Sequence, residues 1–195
     1  MRIADAVLCV LESLPEESWE LSQQGGEDQA AEHRFDSLDI MDVPELAPLR
    51  TVFWKMLPQY RNEPTLPIIS AARYGKDGGI GRHDDRAHVP FFGNQVYSRV
   101  VAGIWYLTKE WTQKEGGCLV DLQVSPEEHK VPIYNSMVAF DVPHWHAVSK
   151  VLGDRYRYSI FGWWHLQGRL YELPSETGNT APTAARRKSK RKKLA

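Results

Sequence analysis

A chain of 195 residues with 42% apolar content suits a single globular domain. Its two cysteines, Cys9 and Cys118, build no disulfide framework and suit a reducing compartment, while Ile3–Leu14 is too short and too interrupted by charge for a signal peptide or membrane span. The net charge of −1 hides an asymmetry: setting aside Arg186, Arg187, Lys188, Lys190, Arg191, Lys192 and Lys193 leaves 24 − 7 = 17 basic residues against 25 acidic ones, a body of −8.

In chain order, Ile3, Val7, Val10, Leu11 and Leu14 recur at helical spacing and predict an amphipathic helix over 1–14. A polar segment, Pro15–Gly26, follows. A second helix is expected from Asp42, an N-cap with Glu45 three residues on and Pro44 in the first turn; Leu46, Leu49, Val52, Phe53, Met56 and Leu57 give its apolar face, and Arg61–Pro67 ends it. From Leu66 the pattern changes to short strands between turn residues. Strands are expected at Ile68–Tyr74, Gly81–Asp85, Val96–Leu107, Cys118–Val124, Lys130–Ile133, Met137–Asp141, His144–Val148 and Arg157–His165. Eight strands after two helices imply a mainly β (α+β) sandwich or barrel braced on one side. The organisation is thus a helical supporting segment over 1–65, a β core over 66–173 and a basic, disordered tail over 174–195.

The chemistry concentrates on histidines and carboxylates. Two imidazoles and one carboxylate on one face of an octahedron, with three positions left open, are diagnostic of non-haem iron(II) oxygenases. His83 and Asp85 are two apart, so in a strand both would face one ion; Asp84 is the rival carboxylate but would face away. The third ligand must come from another strand. His144 and His146 share a face before the last strand, and the apolar alternation after His146 favours it as the ligand. His33, His88, His129 and His165 have no partner at ligand spacing and read as surface or core residues.

Taken in order, YGKDGGIGRHDD from Tyr74 to Asp85, RVVAGIWYLTKEW from Arg99 to Trp111, Gly116-Gly117-Cys118-Leu119, His146, and Arg157-Tyr158-Ser159-Ile160-Phe161-Gly162-Trp163 form a pattern that resembles the prolyl 4-hydroxylase-like 2-oxoglutarate/iron(II) dioxygenases, the hypoxia-inducible-factor type above all. The resemblance covers residues 66–165. It implies a double-stranded β-helix of jelly-roll or cupin-like form, holding iron(II) on His83, Asp85 and His146. It also implies decarboxylation of 2-oxoglutarate to succinate and carbon dioxide, coupled to hydroxylation of a C–H bond, with ascorbate as a candidate reductant. Arg157 would anchor the distal carboxylate of 2-oxoglutarate, with Tyr74 and Tyr106 as hydrogen-bond donors and Ser159 on the same face. A forked, permanently charged guanidinium suits a buried carboxylate, and Arg155, of the same parity, is the rival. Arg99 and Trp163 are the substrate contacts that the resemblance suggests.

The substrate expectation is a prolyl residue of a protein or peptide. A free amino acid or small molecule is the alternative; the Asp36–Pro48 segment, placed to flank the mouth, favours a polypeptide. Nucleic acid does not suit the acidic body, and a silent metal-binding barrel does not explain a complete ligand set with its arginine. The tail's role is open between an import signal, a nucleic-acid contact and a solvated terminus, so the expected location is intracellular, either cytoplasmic or nuclear.

Overall fold

Alternate residues from Ile68 onward differ in character, and a pleated strand sends them to opposite faces that need different surroundings. The computed structural model describes residues 2–22, 33–57, 67–91 and 95–173. Its strands among those residues are β1 (Glu20–Ser22), β2 (His33–Asp39), β3 (Ile68–Tyr74), β4 (Gly79–His83), β5 (His88–Phe91), β6 (Gln95–Tyr106), β7 (Leu119–Asp121), β8 (Glu128–Lys130), β9 (Met137–Asp141), β10 (His146–Val148) and β11 (Arg157–Gln167). The helices are α1 (Ile3–Ser13) and α2 (Leu49–Met56). No helix among the described residues is long and apolar enough to cross a membrane.

The strands pair antiparallel in the order β5-β6-β11-β3-β2-β4-β10-β7-β8, with β1 added to β2 and β9 to β6. Strand β2 turns the corner: Asp36–Asp39 pair with β3, while His33 and Arg34 pair with β4. A major sheet around β6, β11 and β3 thereby joins a minor sheet of β4, β10, β7 and β8, giving the double-stranded β-helix.

Parity decides what each face of the major sheet does. Ile69, Ala71, Val101, Tyr158, Ile160 and Trp164 point outward and share one core with Ala4, Val7, Leu8 and Leu11 of α1 and Phe53 of α2. Removing each of the larger aliphatic and aromatic side chains among them from water contributes about 1.5–3 kcal/mol. Trp164 stacks on Phe53 at 6.0 Å and 21°, over Gly103, where a Cβ would lie 2.8 Å from the indole ring. Arg73, also outward and buried, donates to Asp36 (2.8 Å) and to Glu16, and lies between the rings of Trp19 (4.8 Å) and Tyr156 (4.6 Å). That cluster ties residues 16–19 to the sheet. The opposite parity (Arg157, Ser159, Phe161 and Trp163 on β11; Ser70 and Tyr74 on β3; Ala102 and Ile104 on β6) lines a cavity.

Several expectations shift. The supporting segment contains strands β1 and β2, and Asp36–Asp39, the start of the segment expected to flank the mouth, lies in β2. Asp42 caps no helix: Asp39 accepts from Met41 N to start a 3-10 turn at Ile40–Asp42, and α2 begins only at Leu49, after Pro48. Strand β4 ends at His83 instead of Asp85, β10 begins at His146 instead of His144, and β8 lies at Glu128–Lys130 instead of Lys130–Ile133. Strand β5 has no counterpart among the expected elements. The expected breaks at Gln23–Gly26 and Arg61–Leu66, and the tail from 174, fall outside the described residues.

Candidate metal centre and co-substrate pocket

His83 and His146 face each other across a backbone pair, where the last residue of β4 meets the first of β10. Their rings lie 4.1 Å apart. Each ring has one nitrogen committed to backbone: His83 Nδ1 donates to Gly81 O (2.8 Å), and His146 Nδ1 donates to His144 O (2.6 Å). That fixes the tautomer and leaves both Nε2 atoms as lone-pair donors, the arrangement by which metal-ligating histidines are oriented. Asp85 completes the group, with one carboxylate oxygen 3.5 Å from His83 Nε2 and the other 3.7 Å from His146 Nε2. The ligand atoms of the three residues all lie within 4.8 Å of one another.

The expected reason for Asp85 was strand alternation, and the structure gives another. Asp85 lies beyond β4 in the left-handed region, at φ +63°, and the reversal turns its carboxylate back toward His83. Aspartate tolerates this conformation better than most residues. Asp84 instead caps its own turn, accepting from Arg86 N (3.2 Å) and Arg86 Nε (2.7 Å). His144 donates to Asp121 (3.1 Å) and stands outside the cluster. Burial and the neighbouring His146 push the His83 pKa below its ordinary value, which keeps the ring neutral, as a metal ligand must be.

The cavity beside this cluster encloses about 590 Å³ and contains His83, Asp85, His146, Tyr74, Arg157, Ser159, Arg99 and Trp163 in its lining. Arg157 is 2% exposed and has no carboxylate partner among the described residues. It donates to Gly117 O (3.1 Å), its Nε makes no hydrogen bond among the described residues, and its guanidinium lies 4.0 Å from the Tyr74 ring and 5.5 Å from the Tyr106 ring. Gly116 and Gly117, at φ +68° and +62°, permit the close approach: a Cβ on Gly117 would sit 3.0 Å from the Arg157 side chain. Burial pushes the Tyr74 phenol up to about 12, against the pull of Arg157, so it remains a donor at neutral pH. Tyr106, paired in register with Ser159, is raised by burial too, against the pull of Arg157, and its hydroxyl is buried with no hydrogen-bond partner in reach among the described residues. The rival Arg155 is a surface residue, held by Glu115 (2.6 Å) and stacked on Trp111 at 5.4 Å.

The family model of the 2OG-Fe(II) oxygenase superfamily matches residues 69–165, about half of the chain. The chain belongs to this superfamily. Among curated proteins, the prolyl 3-hydroxylase OGFOD1 of Xenopus laevis is 35% identical over 108 residues, covering 50% of this chain; the chain spans only 19% of that relative's length. Among solved structures, a Pseudomonas putida prolyl-4-hydroxylase superposes with a TM-score of 0.62 at 19% identity, over 85% of this chain and 86% of that one. A Trichoplax adhaerens prolyl hydroxylase, solved with a hypoxia-inducible-factor peptide fragment, superposes with a TM-score of 0.56 at 18% identity, over 83% and 75%. At these identities the structures share the fold.

The superfamily's groups are iron(II) and 2-oxoglutarate, and this oxygenase has residues that fit both. The separations around Asp85 are too long for hydrogen bonds, but they suit three donor atoms about 2 Å from a common ion. The buried, orphaned Arg157 Nε and Tyr106 hydroxyl suit an anionic, oxygen-rich partner.

Arg99 reaches the same cavity through a β-bulge. Trp164 pairs with Val101 but His165 pairs with Arg99, so Val100 has no partner on β11 and parity flips. The flip sends Arg99 inward, its guanidinium 3.7 Å from the Trp163 ring. Burial lowers its pKa, and nearby Asp85 raises it. Arg99 Nε and Trp163 Nε1 are buried and make no hydrogen bond among the described residues.

Sequence reasoning missed the contribution of β2. His33 lines the cavity and meets the His83 ring edge-on at 5.3 Å, and Phe35 forms its wall. The alternation of His33, Phe35 and Ser37 against Leu38 was the available signal, but polar residues occupy most of it. Arg82 and Trp145, each just before a candidate ligand, also line the cavity, 5.2 Å from guanidinium carbon to ring.

Proposed function

We propose that this chain is a 2-oxoglutarate- and iron(II)-dependent dioxygenase that hydroxylates a prolyl residue of a protein. The observation that carries the class is the convergence of His83, Asp85 and His146 at one end of a cavity that also contains Arg157. The substrate reading is supported by the relatives, which are prolyl hydroxylases by description, and by the flat Arg99–Trp163 surface in the cavity wall.

In this reading His83, Asp85 and His146 would hold the metal through two imidazole nitrogens and one carboxylate. Bound there, iron(II) with 2-oxoglutarate and dioxygen would supply the oxidising chemistry for C–H hydroxylation, with release of succinate and carbon dioxide. Arg157 binds the distal carboxylate through its free donors, and its cation offsets the cost of burying that charge. Tyr74 and Tyr106 donate O–H hydrogen bonds to the same ligand, and Ser159 adds a hydroxyl on the same face. Arg99 and Trp163 offer unpaired N–H groups to substrate carbonyls, and the indole face excludes water from the reacting bond. The partner is a polypeptide bearing proline.

The test is mass spectrometry of a protein extract incubated aerobically with the enzyme, iron(II) and 2-oxoglutarate. The expected result is a one-oxygen gain on proline, accompanied by succinate. Succinate release coupled to oxygen on any other residue would refute the prolyl assignment while keeping the class. Anaerobic addition of iron(II) and 2-oxoglutarate should give a visible charge-transfer band, and its absence would refute the class.

A further inference from the structure

Arg157 does not stand alone over Tyr74. On the far side of the phenol, Phe35 of β2 stacks nearly flat on the Tyr74 ring, with centroids 5.0 Å apart and 17° between planes. Phe35 is held in turn by the edge of Phe161, at 6.1 Å and 82°. The order Phe35–Tyr74–Arg157 is thus a column of two rings and a guanidinium, with β11 supplying both Phe161 and the cation. Tyr74 and Arg157 are directly paired in register, so backbone geometry sets their Cα positions but not the plane of the phenol. A phenol rotates about χ2 in a broad well, and only a neighbour on its other face fixes the plane. Phe35 is that neighbour.

The geometry points to Phe35 as a positioning residue of the co-substrate site: it fixes the plane of Tyr74, and through that plane the direction in which Arg157 presents its donors to a distal carboxylate. The inference rests on the 2-oxoglutarate reading of the cavity. Phe35 needs no contact with the ligand to act. A tilt of Tyr74 would move the surface on which the guanidinium lies, 4.0 Å away, and misdirect a fork whose value depends on alignment. The buried Tyr74 phenol, with its pKa pushed up to about 12, stays a neutral ring throughout, so the column carries a single charge, on Arg157.

The experiment uses the full chain loaded with manganese(II), titrated calorimetrically with 2-oxoglutarate and separately with 2-oxobutyrate. The latter keeps the keto-acid end but lacks the distal carboxylate. Aromatic pairing of this kind converts to about a three- to tenfold change in affinity. Phe35→Leu, which keeps the apolar bulk, should weaken 2-oxoglutarate by that factor and leave 2-oxobutyrate and manganese affinities within about twofold. Phe35→Tyr, which restores a ring, should recover the wild-type value. Phe35→Met serves in place of the leucine variant if that one fails to fold, with unchanged manganese affinity as the check on folding. A merely structural role would weaken both keto acids and the metal together, and that result would overturn the proposal. Equal 2-oxoglutarate affinity in wild type and Phe35→Leu would overturn it as well. A wild type that ignores 2-oxoglutarate would instead sink the co-substrate reading, and the proposal with it.

Discussion

Replacing Arg157 with methionine should separate stability from ligand binding. The residue is 2% exposed, and among the described residues its guanidinium has a hydrogen bond to Gly117 O, an unpaired Nε and two aromatic rings as its surroundings. Burying an ion costs several kcal/mol. A hydrogen bond from a charged donor returns about 1.5–3 kcal/mol, and a desolvated cation–ring contact about 2 kcal/mol. These terms nearly cancel, so Arg157→Met without ligand should lie within about 1 kcal/mol of wild type or above it. With 2-oxoglutarate at a hundred times the wild-type dissociation constant, wild type gains about 2.7 kcal/mol, and a variant that binds about a hundredfold more weakly through the keto-acid end alone gains under about 0.5 kcal/mol. The assay is urea denaturation of the manganese-loaded chain with and without 2-oxoglutarate. Arg155→Met is the control; its side chain is 52% exposed, and it should keep the full response. A ligand-free Arg157→Met less stable by several kcal/mol, or one stabilised by 2-oxoglutarate as much as wild type, would refute the reasoning.

Asp85→Asn keeps a residue that tolerates φ +63° but removes the charge, so manganese affinity should fall by at least about tenfold with the fold retained, whereas Asp84→Asn should leave metal affinity unchanged and loosen Arg86. Calorimetric titration of the metal distinguishes the two, and equal losses would mean that either carboxylate can serve. His165 is 2% exposed, has neither ring nitrogen hydrogen-bonded among the described residues, and is held down to about 4 by burial and by nearby Arg99. Its folded pKa lies below the unfolded value near 6.5, so the unfolded chain takes up the proton first. Stability is therefore complete above about pH 6.5 and declines as pH falls toward 4, by up to about 3 kcal/mol. Denaturation curves at pH 7 and pH 5 should differ less in His165→Leu than in wild type; an identical pH dependence would refute the assignment.

Much of the cavity was legible because parity in a strand is a strong constraint. Arg157, Ser159 and Trp163 share one face in sequence and in space, and Tyr106 meets Ser159 across the register. What was not legible depended on breaks in that periodicity or on partners far away in the chain. Asp85 faces His83 through a left-handed residue, a feature that no alternation encodes. Strand β2 hides behind polar letters: its inward residues are His33, Phe35 and Ser37, while Asp36 is satisfied outside by Arg73, 37 residues later. Asp42 satisfied every local rule for a helix cap, yet the chain from Val43 to Pro48 is a turn, and packing of Leu49 and Phe53 decides where α2 starts. Local signals picked out residues that the fold brings together, and were weak about boundaries.

Val100, without a partner on β11, divides β6 into two reading frames. Residues 101–106 are locked by the deep pocket on one side and the helices on the other, so almost any change there disturbs both. Residues 95–99 answer to a different phase, and of them Arg99 looks into the cavity. In the proposed reading, rewriting a few letters upstream of this one surplus residue would reshape the Arg99 end of the cavity, while residues 101–106 keep their register.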